Sequence, residues 1–293
     1  METKVNVYEL ITQRIISQLE AGTVPWHKPW RSAMNLISKR PYRGINRLLI
    51  GSIDTYESPF WLTYKQAQEL GGNVRKGEHG NLVVFWKPCE AKPKDEAESD
   101  EKGKTYFLLR YYYVFNLDQC EGIPEHKIPA APDGADVDES AEQIAAKYLK
   151  SHGPSLKHGG SRACYSPERD SVQMPPKASF ESTAGYYATL FHELTHSTGH
   201  RSRLARKEIE LCLFGTKSYA AEELVAELGS AMICGVTGIE PKQVQDNQAA
   251  YIASWLTALR NDKQLLVTAA SRAQKAADMI QGQPVEVEQQ RAA

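Results

Sequence analysis

The first twenty residues place hydrophobic side chains at helical spacing. Within VNVYELITQRIISQLE (5–20) the apolar residues recur every three or four positions, and Gly22 follows. This spacing gathers apolar side chains on one face of a helix, and glycine commonly ends such a helix. The pattern predicts an amphipathic helix over residues 5–20.

The rest of the N-terminal half shows a different periodicity. The segments NLVVFW (81–86) and TYFLLRYYYVF (105–115) are rich in β-branched and aromatic residues, which is typical of strands. Before them, TYKQAQEL opens with Thr63 and Gln66 at capping-box spacing and is followed by two glycines, so it predicts a short helix. The acidic segment KDEAESDEK (94–102) predicts a long, disordered loop between the two strands.

A change in composition divides the chain. The segment GIPEHKIPAAPDGADVD (122–138) combines prolines and glycines without a long apolar run, which indicates a linker. Beyond it, helical patterns predominate, interrupted by a predicted hairpin over 162–176. We therefore predict an α+β protein: a mixed α/β domain over 1–122, a linker over 123–138, a mostly helical domain with a small sheet over 139–281 and a flexible tail over 282–293.

Composition limits the class of protein further. The 293 residues are 41% hydrophobic and 24% charged, with a formal net charge of −1, as in ordinary globular proteins. Five scattered cysteines form no CxxC pair, so the sequence predicts neither a zinc ribbon nor a disulfide framework. The polar N-terminus and the lack of an apolar run of about 20 residues predict a cytoplasmic protein without a membrane span.

The segment FHELTHSTGH (191–200) carries the strongest chemical signal. Residues four apart lie on one face of a helix, so His192 and His196 can bind one metal ion. Glu193 lies beside that face, where its carboxylate can act as general base on a metal-bound water. The alternative is a polar helix that happens to be rich in histidine.

A hydrolytic site needs a third protein ligand and one open coordination position. Ser202 occupies the position at which a metzincin has its third histidine, and His200 lies past the expected helix end. The next predicted helix, YAAEELVAELGSAM (219–232), offers Glu223 as the ligand and Glu227 to orient a ligand histidine. Glu222 stays open as an alternative ligand, and all three acids would otherwise form a polar helix face.

This arrangement predicts a zinc peptidase, although two imidazoles and a carboxylate also suit manganese or another divalent ion. Glu193 would take the proton of the metal-bound water and return it to the leaving amine. The segment CYSPERDSVQMPP could pair with an extended peptide as an edge strand. Tyr219 and His200 are candidate donors to the oxyanion.

The N-terminal half combines basic and aromatic residues. Residues 21–53 contain six lysines and arginines and no acid, which indicates a polyanion partner. Aromatic rings stack on unpaired bases while basic groups follow the phosphates, so single-stranded DNA is the predicted ligand, although tryptophan and tyrosine can equally belong to a core. The candidate contacts are Trp26, Lys28, Trp30, Arg31, Arg40, Tyr42, Arg43, Asn46, Arg47, Tyr64, Lys65, Arg75 and Lys76.

Several segments together resemble the ArdC-type antirestriction proteins of conjugative plasmids, which share their N-terminal domain with TraC-type primases. The matching segments include PWHKPW, RPYRGIN, FWLTYKQAQELGGNVRKGEHG, YYVFNLDQCEGIP, FHELTHSTGHRSRL and YAAEELVAELGSAM, and they cover about residues 5–281. The resemblance implies a sequence-unspecific single-stranded-DNA-binding domain followed by a zincin-type metallopeptidase domain. It also implies that His192 and His196 bind metal, that Glu193 is the catalytic base and that the protein protects incoming DNA from restriction.

Three functional hypotheses remain open on the sequence. The first is an antirestriction protein that binds single-stranded DNA and cleaves a protein, for example a restriction-system subunit. The second is a DNA-binding protector with a non-catalytic metal site, which gives Glu193 no role. The third is a general metallopeptidase whose N-terminal domain binds protein, which leaves the acid-free basic segment unexplained.

Overall fold

The structure, a computed structural model, describes residues 6–27, 33–51, 53, 55–90, 105–130, 137–210, 217–239 and 248–285. The helices of these residues are α1 (Val7–Glu20), α2 (Ile45–Gly51), α3 (Tyr64–Glu69), α4 (Val137–Ser151), α5 (Thr183–Ser197), α6 (Lys207–Glu210), α7 (Lys217–Thr237), α8 (Gln248–Asn261) and α9 (Leu265–Gln281). The strands are β1 (Met34–Asn35), β2 (Phe60–Leu62), β3 (Asn73–Val74), β4 (Asn81–Glu90), β5 (Thr105–Asn116), β6 (Cys120–Glu121), β7 (Ser155–His158), β8 (Cys164–Ser166) and β9 (Ser171–Met174). The predicted α+β class is confirmed.

A four-stranded sheet forms the centre of the N-terminal half, in the order β1-β2-β5-β4. Strands β4 and β5 are antiparallel, with Asn81 opposite Val114, whereas β1 and β2 are parallel. The two predicted strands are therefore confirmed as one long hairpin. The predicted acidic loop falls in residues 91–104, outside the described residues.

Local capping explains where the shorter helices begin. At the start of α3, Thr63 and Gln66 form the predicted capping box, in which each side chain accepts from the backbone N–H of the other residue. Pro25 and Pro41 both precede helix α2, which begins at Ile45, so they do not interrupt it.

A second, three-stranded sheet lies in the C-terminal half, in the order β7-β9-β8. Strands β8 and β9 are antiparallel, with Cys164 opposite Gln173, which confirms the hairpin predicted over 162–176. Strand β7 pairs parallel to β9, so β8 is left at one edge of the sheet. An edge strand has unpaired backbone groups that can bind an extended chain.

One hydrophobic core extends through both halves. It includes Ile11 and Ile15 of α1 together with Leu266 of α9, all nearly inaccessible to solvent. At the contact between the halves, the rings of Trp26 and Trp255 meet edge-on with their centroids 5.0 Å apart. The two predicted domains thus share a core, and their proposed boundaries stay a prediction.

Within the described part of the chain, every helix is too short or too polar to cross a bilayer. Helix α9 ends at Gln281, where Gly282 adopts a left-handed conformation with a φ of 67°. This conformation is the usual glycine cap of a helix C-terminus. The tail predicted from residue 282 lies mostly outside the described residues.

Candidate metal centre

Helix α5 carries the histidine segment. The hydroxyl of Ser182 accepts a hydrogen bond from the backbone N–H of Gly185 and caps the start of the helix, which continues to Ser197. Leu190, Phe191 and Leu194 are buried in the core, and this packing fixes the rotation of the helix. The opposite face therefore presents His192 and His196, one turn apart, to the neighbouring cleft.

The third member of the cluster comes from α7. The Nε2 atoms of His192 and His196 lie 3.1 Å apart. The carboxylate oxygens of Glu223 lie 3.5 Å from Nε2 of His192 and 3.6 Å from Nε2 of His196. A tetrahedral ion with bonds of about 2.0–2.1 Å separates its ligand atoms by about 3.3 Å, so these three residues fit a divalent metal.

Helix α7 is held close to α5 by direct contacts. The hydroxyl of Ser230 donates to the backbone carbonyl of Ala188 over 2.9 Å. Leu224 and Leu228, one turn apart on α7, are fully buried in the core. Glu223, which directly precedes Leu224, has its carboxylate next to the two histidines. Among the described residues, His192, His196 and Glu223 form a group whose candidate ligand atoms all lie within 4.8 Å of one another.

Glu222, the alternative ligand, lies behind His196 instead of facing the cluster. Its Oε1 is 3.2 Å from Nδ1 of His196, and the guanidinium of Arg206 donates to both of its oxygens over 2.9 and 2.6 Å. Burial favours the neutral acid, but His196 and Arg206 hold the pKa of Glu222 below its usual value. Glu222 therefore orients His196 so that its Nε2 faces the ion position.

Arg206 was not predicted from the sequence, although it completes this arrangement. Its guanidinium is buried and also donates to the hydroxyl of Thr198 and the carbonyl of Thr195. Gly199 leaves the space for it, because a Cβ atom there would approach the guanidinium to 2.9 Å. Gly199, within the histidine segment, was the available signal for this contact.

Glu227 lies near Nδ1 of the other candidate ligand, His192, and its predicted role of orienting that ring stays a prediction. Its Oε1 is 3.6 Å from Nδ1 of His192, while its Oε2 is 3.2 Å from Nε2 of His27. His27 belongs to the N-terminal half and was not predicted to approach the site. Each histidine of the metal cluster thus has its own glutamate at the nitrogen that faces away from the ion position.

The carboxylates shift the proton affinities of the cluster. Burial lowers the pKa of His192, but Glu223, Glu227 and Glu193 outweigh burial and raise it to about 10. Burial raises the pKa of Glu223, but the two histidines and a hydrogen bond from Tyr219 lower it to about 2. A cation that binds at this cluster must therefore displace a proton from His192.

A cavity of about 800 Å³ opens over the three candidate ligands. Glu193, 8% exposed, lies in its wall, as do the predicted donors Tyr219 and His200. Nδ1 of His200 also contacts the hydroxyl of Ser202 at 2.7 Å, and His200 is not one of the three clustered residues. Strand β8 contributes Cys164 and Tyr165 to the cavity, so the edge strand borders it as expected.

Four predicted DNA contacts are partly or fully buried, or have partners within the protein, and Trp26 and Asn46 are too buried to contact DNA in this structure. Trp26 is 0% exposed, and Asn46 exchanges two hydrogen bonds of 2.7 Å with the backbone of Val84. Arg43 forms an ion pair with the buried Asp278. Arg47 is half-buried, and burial lowers its pKa to about 10.

Other predicted contacts lie at the surface. Arg40, Tyr64, Lys65, Arg75 and Lys76 are exposed, while Tyr42 is half-buried against the core. Lys65 and Arg75 form exposed ion pairs with Glu69 and Glu78, respectively. Lys28, Trp30 and Arg31 fall outside the described residues. Two tyrosines of β5, Tyr111 and Tyr113, are also exposed, although they are not among the predicted contacts.

Comparison with known protein families defines the class. The family described as zincin-like metallopeptidase matches residues 142–272, which include α5 and α7. The N-terminal domain of anti-restriction factor ArdC matches residues 5–115. The chain is therefore a zincin-like metallopeptidase domain combined with an ArdC-type N-terminal domain.

Individual relatives extend over nearly the whole chain. The crystal structures of antirestriction protein ArdC from plasmid R388 superpose with TM-scores of 0.79 for the metal-free form, at 42% identity, and 0.77 for the Mn(II)-bound form, at 41% identity. These matches cover 94% and 95% of this chain and 97% and 98% of the ArdC chains. Protein y4eC of Sinorhizobium fredii is 38% identical over 96% of this chain and 94% of its own length.

Part of a larger protein is also similar. A DNA primase TraC of Escherichia coli is 36% identical over 95% of this chain, but the match spans only 27% of that primase. A second TraC primase of the same species is matched over 20% of its length. Taken with the full-length matches, these similarities place the chain in the ArdC family of antirestriction proteins, as the sequence motifs indicated.

Proposed function

We propose that this protein is an antirestriction factor that binds single-stranded DNA with its N-terminal half and hydrolyses peptide bonds at the His192–His196–Glu223 site. The peptidase proposal rests on one observation: the candidate ligand atoms of His192, His196 and Glu223 lie close together beside an open cavity that Glu193 also lines. Zinc is the proposed ion, and the Mn(II)-bound ArdC structure supports a divalent metal more generally. The protected molecule would be incoming plasmid DNA, and the cleaved protein a restriction-system subunit.

The chain's own groups support hydrolysis. When bound, a divalent ion supplies Lewis acidity to a carbonyl and makes a water molecule easier to deprotonate. Glu193 accepts the proton of that water and transfers it to the nitrogen of the leaving amine. Strand β8 binds the substrate backbone as an added antiparallel strand, and Tyr219 or His200 donates a hydrogen bond to the developing oxyanion.

The peptidase proposal is tested with Glu193→Gln. This change keeps the size of the side chain but removes the base, so the variant should bind Zn²⁺ like the parent chain and lose hydrolysis of an unfolded protein substrate by a factor of at least about 100. His196→Gln should lose both properties. Equal hydrolysis by the parent chain and Glu193→Gln would rule out this mechanism, and no hydrolysis by either would favour a non-catalytic metal site.

Exposed aromatic residues of the N-terminal half support the DNA-binding part. Tyr111 and Tyr113 are two apart on β5 and share a face of the sheet, with ring centroids 5.9 Å apart. These two tyrosines are 36% and 52% exposed. Tyr64 of α3 is 47% exposed, and its ring lies near that of Phe115 on β5. Such rings can stack on unpaired bases, while Lys65 and Lys76 offer charges to phosphates.

The DNA-binding proposal is tested with an oligothymidine and the full chain. Tyr111→Ala combined with Tyr113→Ala should weaken binding by about 1–3 kcal/mol for each base that loses its stacking partner. The matched control is Ile37→Ala, which removes another exposed apolar group of the same half. Affinity should also fall as salt rises, because phosphate contacts release counterions. If the double variant bound oligothymidine as tightly as the parent chain, Tyr111 and Tyr113 would not be DNA contacts.

A further inference from the structure

The carboxylate of Glu227 joins the two halves of the protein at the metal centre. One oxygen is 3.2 Å from Nε2 of His27 in the N-terminal half, and the other is 3.6 Å from Nδ1 of the candidate ligand His192. His27 and Glu227 are only 15% and 26% exposed, so water competes weakly for this contact. A residue 200 positions away in the sequence therefore reaches the metal cluster through one intermediate side chain.

The surroundings of the His27 ring indicate which nitrogen of a neutral imidazole donates a hydrogen bond. Its Nδ1 atom is buried and has no hydrogen-bond partner among the described residues. A neutral imidazole has one N–H donor and one acceptor nitrogen, and an unsatisfied buried donor is costly. The hydrogen is therefore best placed on Nε2, from which His27 donates to Glu227.

The residue before His27 is anchored in the core. The turn Pro25–His27 packs against α7, and Trp26 within it is fully buried against Trp255. His27 thus contacts one oxygen of Glu227 and leaves the other oxygen for Nδ1–H of His192. A hydrogen on Nδ1 leaves the lone pair of Nε2 free for an ion.

We propose that His27 is a positioning residue of the metal centre: by holding Glu227, it fixes the tautomer and ring orientation in which His192 offers Nε2 to the ion. This inference rests on the proposed metal site but not on peptide hydrolysis. It makes the N-terminal half a structural requirement for tight metal binding, in addition to any role in binding DNA.

The test measures binding of Mn²⁺ alone to the full chain, by electron paramagnetic resonance of the free ion. His27→Phe keeps a ring but removes the hydrogen-bond donor. It should weaken Mn²⁺ affinity by about tenfold, the lower end of the range for residues that orient a metal ligand without binding the ion. His27→Gln restores a donor near the Nε2 position and should stay within about twofold of the parent chain. His126→Phe is the matched control, because His126 is exposed in a short turn.

Two further measurements separate positioning from packing. On a Glu227→Gln background, His27→Phe should cause no additional loss of affinity, because the two residues act through one contact. Nitrogen-15 resonance of the metal-free chain above pH 10, where the His192 ring is neutral, should show the remaining hydrogen on Nδ1 in the parent protein and a mixture of tautomers in His27→Phe. If His27→Phe does not fold, as judged by its thermal unfolding, His27→Asn replaces it, since that shorter amide cannot reach Glu227.

Unchanged Mn²⁺ affinity in His27→Phe would overturn the proposal. So would an equal loss in His27→Gln, or a further loss when His27→Phe is added to Glu227→Gln. Failure of the peptidase proposal would look different, because the Mn²⁺ measurements contain no substrate. If His192→Gln and Glu223→Gln bound Mn²⁺ as well as the parent chain, the metal site itself would be wrong, and this inference with it.

Discussion

Gly229 of α7 lies directly against Thr195 of α5, between the helix that carries the histidines and the helix that carries Glu223. A Cβ atom at position 229 would come within 2.5 Å of Cγ2 of Thr195, which is closer than side chains pack. Thr195 cannot easily move, since its hydroxyl donates to the carbonyl of Phe191 in the buried face of α5. The missing side chain at Gly229 therefore sets the spacing between the metal-binding helices.

Gly229→Ala should separate α5 from α7. Overpacking of this kind costs about 1–3 kcal/mol of unfolding free energy, and the displaced Glu223 should also bind metal more weakly. Urea unfolding and Mn²⁺ titration measure the two effects. Gly185→Ala is the matched control, because its Cβ would meet only the Ser182 hydroxyl at 3.4 Å. An affinity unchanged in Gly229→Ala would show that the helix spacing does not govern the site.

Arg206→Met should be among the most destabilising changes near the site. It leaves the buried carboxylate of Glu222 without its cation, and breaking a buried pair in this way costs about 3–5 kcal/mol. The double variant Arg206→Met/Glu222→Met removes both charges and should recover part of this loss. Equilibrium urea unfolding of the metal-free chains measures whether stability falls from the parent chain to the double variant to Arg206→Met. Equal stability of Arg206→Met and the parent chain would contradict the role given to this pair.

Metal affinity should depend on pH through His192. Its pKa in the metal-free protein is raised to about 10, so one proton must leave before an ion binds at neutral pH. Affinity should rise about tenfold per pH unit between pH 6.5 and 9. Titration calorimetry in buffers of different ionisation enthalpy measures the released proton. Affinity independent of pH would contradict a protonated His192.

The same pKa predicts the stability of the metal-free protein. Because the pKa of folded His192 lies above its ordinary value of 6.5, its charge contributes stability that is complete below pH 6.5 and lost as pH rises towards 10. The slope over this interval should approach about 1.4 kcal/mol per pH unit from this group. His192→Gln provides the comparison in urea unfolding across the same range. A parent chain whose slope matches that of the variant would argue against the shift.

Trp26→Ala should destabilise the whole chain instead of weakening DNA binding selectively. Truncation of a fully buried tryptophan costs about 3–5 kcal/mol. Trp26→Phe keeps much of the contact with Trp255 and should retain the oligothymidine affinity of the parent chain. If Trp26→Phe folded but bound DNA clearly more weakly, Trp26 would be a DNA contact after all. Thermal unfolding and fluorescence anisotropy distinguish the two outcomes.

Sequence reasoning reached the parts of the site that local periodicity determines. His192 and His196 are one helical turn apart, and the next helix supplies Glu223 and Glu227 at the same spacing. These predictions needed only the regular geometry of α5 and α7. Whether the clustered residues bind metal and hydrolyse peptides stays a prediction.

The contacts that were missed connect distant parts of the chain. Arg43 pairs with Asp278, 235 positions away in the sequence. Because no local pattern shows this ion pair, the sequence predicts that Arg43 contacts phosphate. His27 and Arg206 come from segments without periodic patterns, and no spacing rule leads from them to the metal cluster. Composition indicated correctly that the N-terminal half is basic and aromatic, but it does not show which of these side chains are buried.

The common core has a consequence for how the chain tolerates a break. Residues of α1, α8 and α9 belong to one apolar core that spans the two halves. If the backbone were cut between residues 130 and 137, the two fragments would separate on a denaturing gel but still migrate together through gel filtration. Either fragment expressed by itself would expose the face that holds Trp26 or Trp255, and it would aggregate unless its counterpart were supplied.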